Sequence, residues 1–284
     1  MLKKIYLLTV LSFITLFLFG SNLHATEEPL RFGVFPYKSP KAVIKLFLPI
    51  TQQLEDAIGR PVHLSTAANA KLFNQRAIQG DYDLIWACNS CFAKITEEVE
   101  YQAIACGYPS FQGGVIVRKD SSIKNISELK GKKIAAVGKG SYAGYQFFRN
   151  EMQKIGLTTP MNYSVKFLGK LDSIIFSVAG RQYDAGVIRL DALESNRFKQ
   201  IKDQFLIIAT SMDIPQFPFA VKPGVPPNIL IQMKTVLTGI NQDTATGASI
   251  LKNFKIKGIG SCTNADFEEL NWELLNTTYQ RLKN

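Results

Sequence analysis

Histidine is close to absent from this chain: 284 residues hold two. One is His24 in the N-terminal segment, and the other, His63, stands in a strand-like stretch. A histidine-rich catalytic zinc centre is therefore unsupported. The sequence also lacks the G-x-S-x-G elbow, the H-E-x-x-H helix and the dinucleotide glycine fingerprint, and it has no glutamate pair at a specific spacing. These absences leave no cofactor and no catalytic residue to assign, so the chain reads as a non-enzyme. Acids are scarce too, 23 against 33 Lys plus Arg, which gives a formal charge of +10 and a pI near 9.4. That excess raises a nucleic-acid partner as a first thought, to be weighed against where the charges lie. With 46% hydrophobic and 20% charged residues, the composition excludes a largely disordered chain. It fits two globular lobes.

What is present begins with an export signature. Lys3 and Lys4 precede an uncharged stretch from Ile5 to Gly20, followed by Ser21-Asn22-Leu23-His24-Ala25. A basic start, an apolar middle and a polar end closing on a small residue predict a signal peptide cleaved after Ala25, and hence a periplasmic protein. Removing these 25 residues leaves 259 and takes away two lysines and no acid, so the charge falls from +10 to +8. Export separates the chain from cytoplasmic nucleic acid. The four cysteines, Cys88, Cys91, Cys106 and Cys262, are an even set in a compartment that permits disulfides. Three complete pairings are open, and Cys88 or Cys91 with Cys106 is one option through neighbouring strand ends.

Strand and helix patterns then alternate. Strands are expected at Leu30 to Phe35, Pro61 to Ser65, Tyr82 to Ala87 and Ala103 to Cys106, with helices over Lys41 to Ile58, Ala70 to Gln79 and Cys91 to Val99. Pro49 is expected to start a second helical segment or kink the first. A second section has strands at Lys133 to Val137, Tyr163 to Phe167 and Ala185 to Ile188, with helices over Tyr142 to Ile155 and Asp172 to Ala179. Ile207 to Thr210 reads as a returning strand and Pro215 to Pro218 as a turn or hinge. Helices follow at Asn228 to Thr238, Ala245 to Leu251 and, longest, Asp266 to Leu282. The alternation predicts an α/β fold with crossover helices.

In such sheets ligands meet the loops beyond strand C-termini, where helix N-termini offer N–H donors. Three loops qualify: Phe35 to Ser39, Cys88 to Ser90 and Gly138 to Ser141. In the last, glycines allow close backbone approach to an anion and Ser141 adds a hydroxyl, although Lys139 precedes the second glycine and the segment is no P-loop. Candidate ligand-binding residues are Tyr37, Trp86, Cys88, Asn89, Ser90, Gly140, Ser141, Tyr142, Asp172 and Asp184. Each also has a plain structural reading, as core aromatic, helix cap or turn acid. The Cys88-Asn89-Ser90-Cys91 spacing permits redox chemistry or a thiol-seeking metal, but a structural role suits the surroundings better.

Taken together, these residues resemble the periplasmic phosphonate-binding protein family of ABC transporters. The similar segments are Leu30 to Tyr37, Gly80 to Trp86, Val115 to Ser121, Leu129 to Lys132, Gly140 to Gly144, Tyr183 to Gly186 and Ser211 to Pro218. The resemblance implies a type II periplasmic-binding-protein fold with two lobes and two crossover strands. A signal peptide at 1–25 would precede a discontinuous first lobe, 26–117 with 207–284, and a second lobe over 118–206. It implies capture of a phosphonate, a phosphate-like anion or a related small oxyanion, handed to permease subunits. The alternative within the resemblance is a sensory protein presenting an oxyanion or metalloid to a sensor kinase. Ser141 keeps a family hydroxyl, whereas Tyr142 and Ala143 depart from the run of small hydroxyl residues. Asp172 and Asp184 match acidic family positions, the second of which can face an aminoalkyl group.

Overall fold

The apolar run Leu30–Val34 forms β1 and turns Leu30, Phe32 and Val34 to one face. Gly33 faces the other way, where a Cβ would stand 2.5 Å from the Tyr82 ring, so a residue without a side chain lets β1 lie against that ring. This computed structural model describes residues 28–270; the export segment, and the expected final helix beyond residue 270, lie outside the described residues. Helix α1 (Pro40–Ile58) lays Val43, Phe47, Ile50 and Leu54 on the Leu30 face of β1. It runs unbroken through Pro49, so the expected restart does not occur.

Then come β2 (Val62–Thr66), α2 (Ala70–Ile78), β3 (Leu84–Trp86), α3 (Asn89–Glu98) and β4 (Gln102–Tyr108). The second section holds β5 (Gly113–Arg118), β6 (Lys133–Ala136), α4 (Phe147–Lys154), β7 (Ser164–Phe167), α5 (Leu171–Ala179), β8 (Ala185–Arg189) and β9 (Phe205–Thr210). The chain closes with β10 (Pro218–Val221), α6 (Pro227–Thr238), α7 (Ala245–Phe254) and β11 (Gly258–Ser261). Two of these strands were not expected. β10 opens with a proline, which lacks an N–H and reads as a turn, yet the first residue of a strand tolerates it. β11 is half glycine, and its pattern is carried by one apolar side chain, the buried Ile259.

The strands form two mixed sheets in the orders β11-β4-β10-β3-β1-β2 and β7-β6-β8-β5-β9. Both faces of each are covered: Leu84 and Trp86 belong to one apolar cluster of the first sheet and Ile85 to another, while Val115 and Ile116 divide the second sheet in the same way. This is the α/β, two-lobed, type II architecture. In the first sheet β2 and β3 run parallel to β1, and in the second β7 and β8 run parallel to β6. Strands β5 and β9 both hydrogen-bond in the second sheet. The expected crossings near Arg118 and Ile207 therefore lie a strand length inside it, because an apolar run does not reveal which sheet it joins. The chain passes between sheets at residues 109–112 and 211–217. These passages are tied by reciprocal backbone bonds, Phe111 N to Ile214 O at 3.0 Å and Ile214 N to Phe111 O at 2.7 Å. Ser211 Oγ accepts from Gly113 N at 2.9 Å.

The edge of the first sheet away from these passages is clamped by charge. Asp83, just before β3, accepts from Arg31 Nε (3.1 Å), Arg31 Nη2 (2.9 Å) and the Arg31 backbone N–H (2.8 Å). Lys222, just past β10, reaches the same carboxylate at 2.7 Å. Burial alone would raise the Asp83 pKa, but the bonds from Arg31 and Lys222 outweigh it and lower the value from 3.8 to about 2. A depressed carboxylate pKa contributes stability that is complete above the unfolded value and is lost as pH falls through the folded one. Asp83→Asn should therefore cost about 2 kcal/mol at neutral pH. In urea titrations the gap between native chain and variant should close as the pH is taken from about 4 toward about 2. A gap that stays constant over that interval would show that the charge is not what holds this edge.

Candidate functional site

The opposite edge is built by strand direction. Strands β1, β3, β6 and β8 all present their C-terminal ends there, and the loops that follow them enclose a cavity of about 340 Å³. Phe35 comes from the loop after β1, Cys88 to Cys91 from the loop and helix start after β3, and Gly140 to Ala143 from the segment after β6. Phe111, Ile214 and Phe217, from the passages between the sheets, complete the wall with Arg189 at the end of β8.

Three helices begin at this cavity: α2, whose first residue Ala70 is in the lining, α3, and the helix that leads into α4. Cys88 caps α3, its Sγ accepting from the Cys91 backbone N–H at 3.2 Å. The first N–H groups of a helix lack partners within it and carry partial positive charge, so this end favours an anion. Asn89 follows, 5% exposed; its Nδ2 donates to Pro215 O at 3.0 Å, while its Oδ1 is buried without a hydrogen-bond partner. From the other sheet, Ser141 Oγ accepts from Gly144 N at 3.0 Å and caps a wide π turn, Tyr142–Gln146, that runs into α4. The sequence pattern predicts a plain helix there. Instead Gln146 N reaches Ser141 O at 3.0 Å, one residue further back than an α-turn allows. Gly144 permits this packing, since a Cβ would meet Val137 Cγ2 at 2.5 Å and Ser141 Oγ at 2.8 Å.

All four cysteines lie among the described residues and all are free thiols, so the expected disulfide is not formed. The neighbours also differ from the option of Cys88 or Cys91 with Cys106. Cys88 Sγ lies 2.7 Å from Cys91 Sγ, one helical turn on, and Cys106 hydrogen-bonds Cys262. The second pair follows from register: Cys106 faces Gly260 across β4 and β11, which puts Cys262 on the diagonal. Burial would push the Cys88 thiol up, but hydrogen bonds from Cys91 and Ser90 turn its shift downward. Cys91 is pushed up by sharing that bond and then by burial.

Six of the sequence candidates thus share one cavity: Cys88, Asn89, Ser90, Gly140, Ser141 and Tyr142. Tyr37 and Trp86 line an adjoining cavity of about 360 Å³, with ring centroids 5.0 Å apart. Burial raises the Tyr37 hydroxyl to about 12 and keeps it neutral. Asp172 and Asp184 line neither cavity. Asp184 stands at the N-terminal end of β8, on the far edge, where its Oδ2 accepts from Lys133 N at 2.8 Å. Asp172 lies in the first turn of α5, the helix that follows the edge strand β7, and pairs with Arg197.

The residue missed in the sequence is Arg189, which lines both cavities. The signal was available, because a basic residue closing a buried parallel strand points toward the ligand edge. Arg189 is anchored by Asp191, Nε to Oδ1 at 2.9 Å and Nη2 to Oδ2 at 2.7 Å, and its guanidinium lies 3.5 Å from the centre of the Phe111 ring. Among the described residues no group of three His, Cys, Asp or Glu gathers as a metal site.

Residues 32–267 match a family model described as "ABC transporter, phosphonate, periplasmic substrate-binding protein". Among solved structures, a Prochlorococcus marinus protein in complex with methylphosphonate shares 16% identity, with 88% of this chain and 98% of that one covered and a TM-score of 0.71. A Xanthomonas citri protein bound to ATP gives 16%, 88%, 98% and 0.74 in the same order. The binding-protein component of a Pseudomonas aeruginosa ABC phosphonate transporter gives 15%, 89%, 87% and 0.66. At such identities the likeness shows the fold.

The divergent thiols of α3 give a direct test of its N-terminal electrostatics. Iodoacetamide applied to the folded protein should alkylate Cys88 ahead of Cys91, as peptide mass mapping would resolve. Modification of Cys91 first would contradict the arrangement of donors around Cys88.

Proposed function

Since this chain belongs to the periplasmic substrate-binding proteins of phosphonate ABC transporters, we propose that it captures a phosphonate or phosphate-like anion between Ser141 of one lobe and Asn89 and Ser90 of the other. Family membership makes it the non-catalytic, periplasmic component of an importer, whose partners are a small anion and membrane permease subunits. The observation that carries the ligand reading is the meeting of two helix starts from different sheets at one cavity. Converging dipoles and a serine hydroxyl suit an anion with several oxygens.

Contacts drawn from both lobes favour the closed form, so capture shifts the open–closed equilibrium that the permease reads. The two passages tied at Phe111 and Ile214 are the place for that motion. The lobes are then residues 28–110 with 211–270, and 111–210. Gly140 and Tyr142 shape the anion end, and Cys88 contributes through its cap. The buried, unpartnered Oδ1 of Asn89 favours a ligand that brings a proton of its own. A phosphonate monoanion has a P–OH; a sulfonate has none. Leaving such an acceptor unmet costs about 1–3 kcal/mol.

Calorimetry on the exported protein should give binding of methylphosphonate or inorganic phosphate and much weaker binding of methanesulfonate. Affinity for methylphosphonate, which loses its last P–OH there, should fall as pH rises through its second ionisation. Ser141→Ala should weaken binding about tenfold, equivalent to about 1.4 kcal/mol. Loss of the cap alone should cost about 1 kcal/mol of stability. Equal binding of sulfonate and phosphonate, or unchanged affinity in the variant, would overturn the assignment of these anchors. The proposal includes cleavage after Ala25. The intact mass of the exported protein should then correspond to a chain starting at Thr26, and a mass that retains residues 1–25 would refute it.

A further inference from the structure

We infer that the site is bipartite: the anionic head sits at Ser141 and Asn89, and an aromatic ring of the same ligand occupies the adjoining aromatic cavity, with Arg189 at the junction. The ligand class is then an aryl or heteroaryl phosphonate or phosphate monoester, without a positive charge on its organic part. This rests on the capture reading above and adds the chemistry of the substituent.

Three observations carry it. The second cavity, about 360 Å³, adjoins the first, with Phe35, Phe217 and Arg189 in the walls of both. Interiors leave few voids larger than a water, and a cavity of about 150 Å³ lined by apolar side chains already holds benzene. The space therefore suits a ring with room for substituents. Its wall is also aromatic and organised around one residue. Trp86, 7% exposed, has Tyr37 at 5.0 Å, Phe217 at 5.1 Å and Phe254 at 5.7 Å, all inclined to the indole plane. Inclined rings offer both edges and faces to a guest ring.

The third observation is the charge of the lining. No Asp or Glu lines either cavity, while Lys38, Lys255 and Arg189 do. An aminoalkyl ligand would bring an ammonium into this space with no carboxylate to meet it, a costly burial. The two acids that could have served are engaged elsewhere, Asp172 by Arg197 and Asp184 by the Lys133 backbone. Arg189, which lines both cavities and is held by Asp191, complements a phosphoryl group where head and ring would join, while Lys38 and Lys255 line the aromatic cavity alone.

The test is calorimetry on the exported protein with methylphosphonate, phenylphosphonate and 2-aminoethylphosphonate. Phenylphosphonate should bind about tenfold or more tightly than methylphosphonate, and 2-aminoethylphosphonate more weakly than either. Asn253→Phe, at an exposed position lining only the aromatic cavity, should fill that space. It should bring phenylphosphonate down to the level of methylphosphonate, whose own affinity stays unchanged. Tyr37→Ala should lower the ratio of the two affinities as well, which covers the case of a poorly folded Asn253 variant. Methylphosphonate binding as tightly as phenylphosphonate, or 2-aminoethylphosphonate binding best, would overturn the bipartite ligand and leave anion capture standing. Failure of all three and of inorganic phosphate would overturn capture itself, and the bipartite ligand with it.

Discussion

The site depends on one constraint: the parallel strands of both sheets deliver their C-terminal ends to the same cleft. Each strand that ends there is followed by a loop, and the helices after β3 and β6 turn their first N–H groups back toward the cleft. Backbone geometry alone thus supplies partial positive charge from two directions before any side chain is chosen. The side chains then refine it. Cys88 and Ser141 cap the two helix starts, and Arg189 closes the neighbouring strand. Reversing one strand would remove a helix start, a loop and an anchor together.

The two edges of the first sheet have been given opposite electrostatic treatment. At the far edge Asp83 is saturated by Arg31 and Lys222. At the cleft edge Asn89 keeps a buried oxygen without a partner, and a buried thiol sits with its shift turned downward. An unmet acceptor costs stability where it stands and can be offset only by something that arrives. The clamp at one edge lets the other remain poised, because the strands stay in register while the loops leave groups for a ligand.

Much of this was legible in the sequence, and the exceptions have physical causes. The alternation of strand and helix patterns gave the α/β class, and the glycine-serine loop after Lys133 to Ala136 marked the second helix start, because periodicity and capping are local signals. Which end of β8 matters is not local. Asp184 and Arg189 bracket the same strand, and only the direction fixed by its parallel pairing with β6 puts Arg189 in the cleft and Asp184 beyond reach. The cysteine neighbours were hidden for the same reason. Cys106 meets Cys262 through a strand whose glycines gave no pattern. β10 stayed hidden behind its own proline, although it pairs with both β3 and β4.

The net charge of +10 has little to do with recognition. Exposed lysines raise the local concentration of any anion and are screened by salt within about 8–10 Å. They do not choose among anions. Choice requires groups out of water, and those at the cleft are mostly neutral: two helix starts, a serine, an asparagine and a wall of rings, with Arg189 between the two cavities. Most donors there are neutral and Arg189 keeps its Asp191 partner, so capture need not be so strong that release to a permease becomes slow. The scarcity of acids in the composition reappears here as a local fact, a lining without a single carboxylate. Within it the aromatic wall and the absence of acids together set what can accompany the anion.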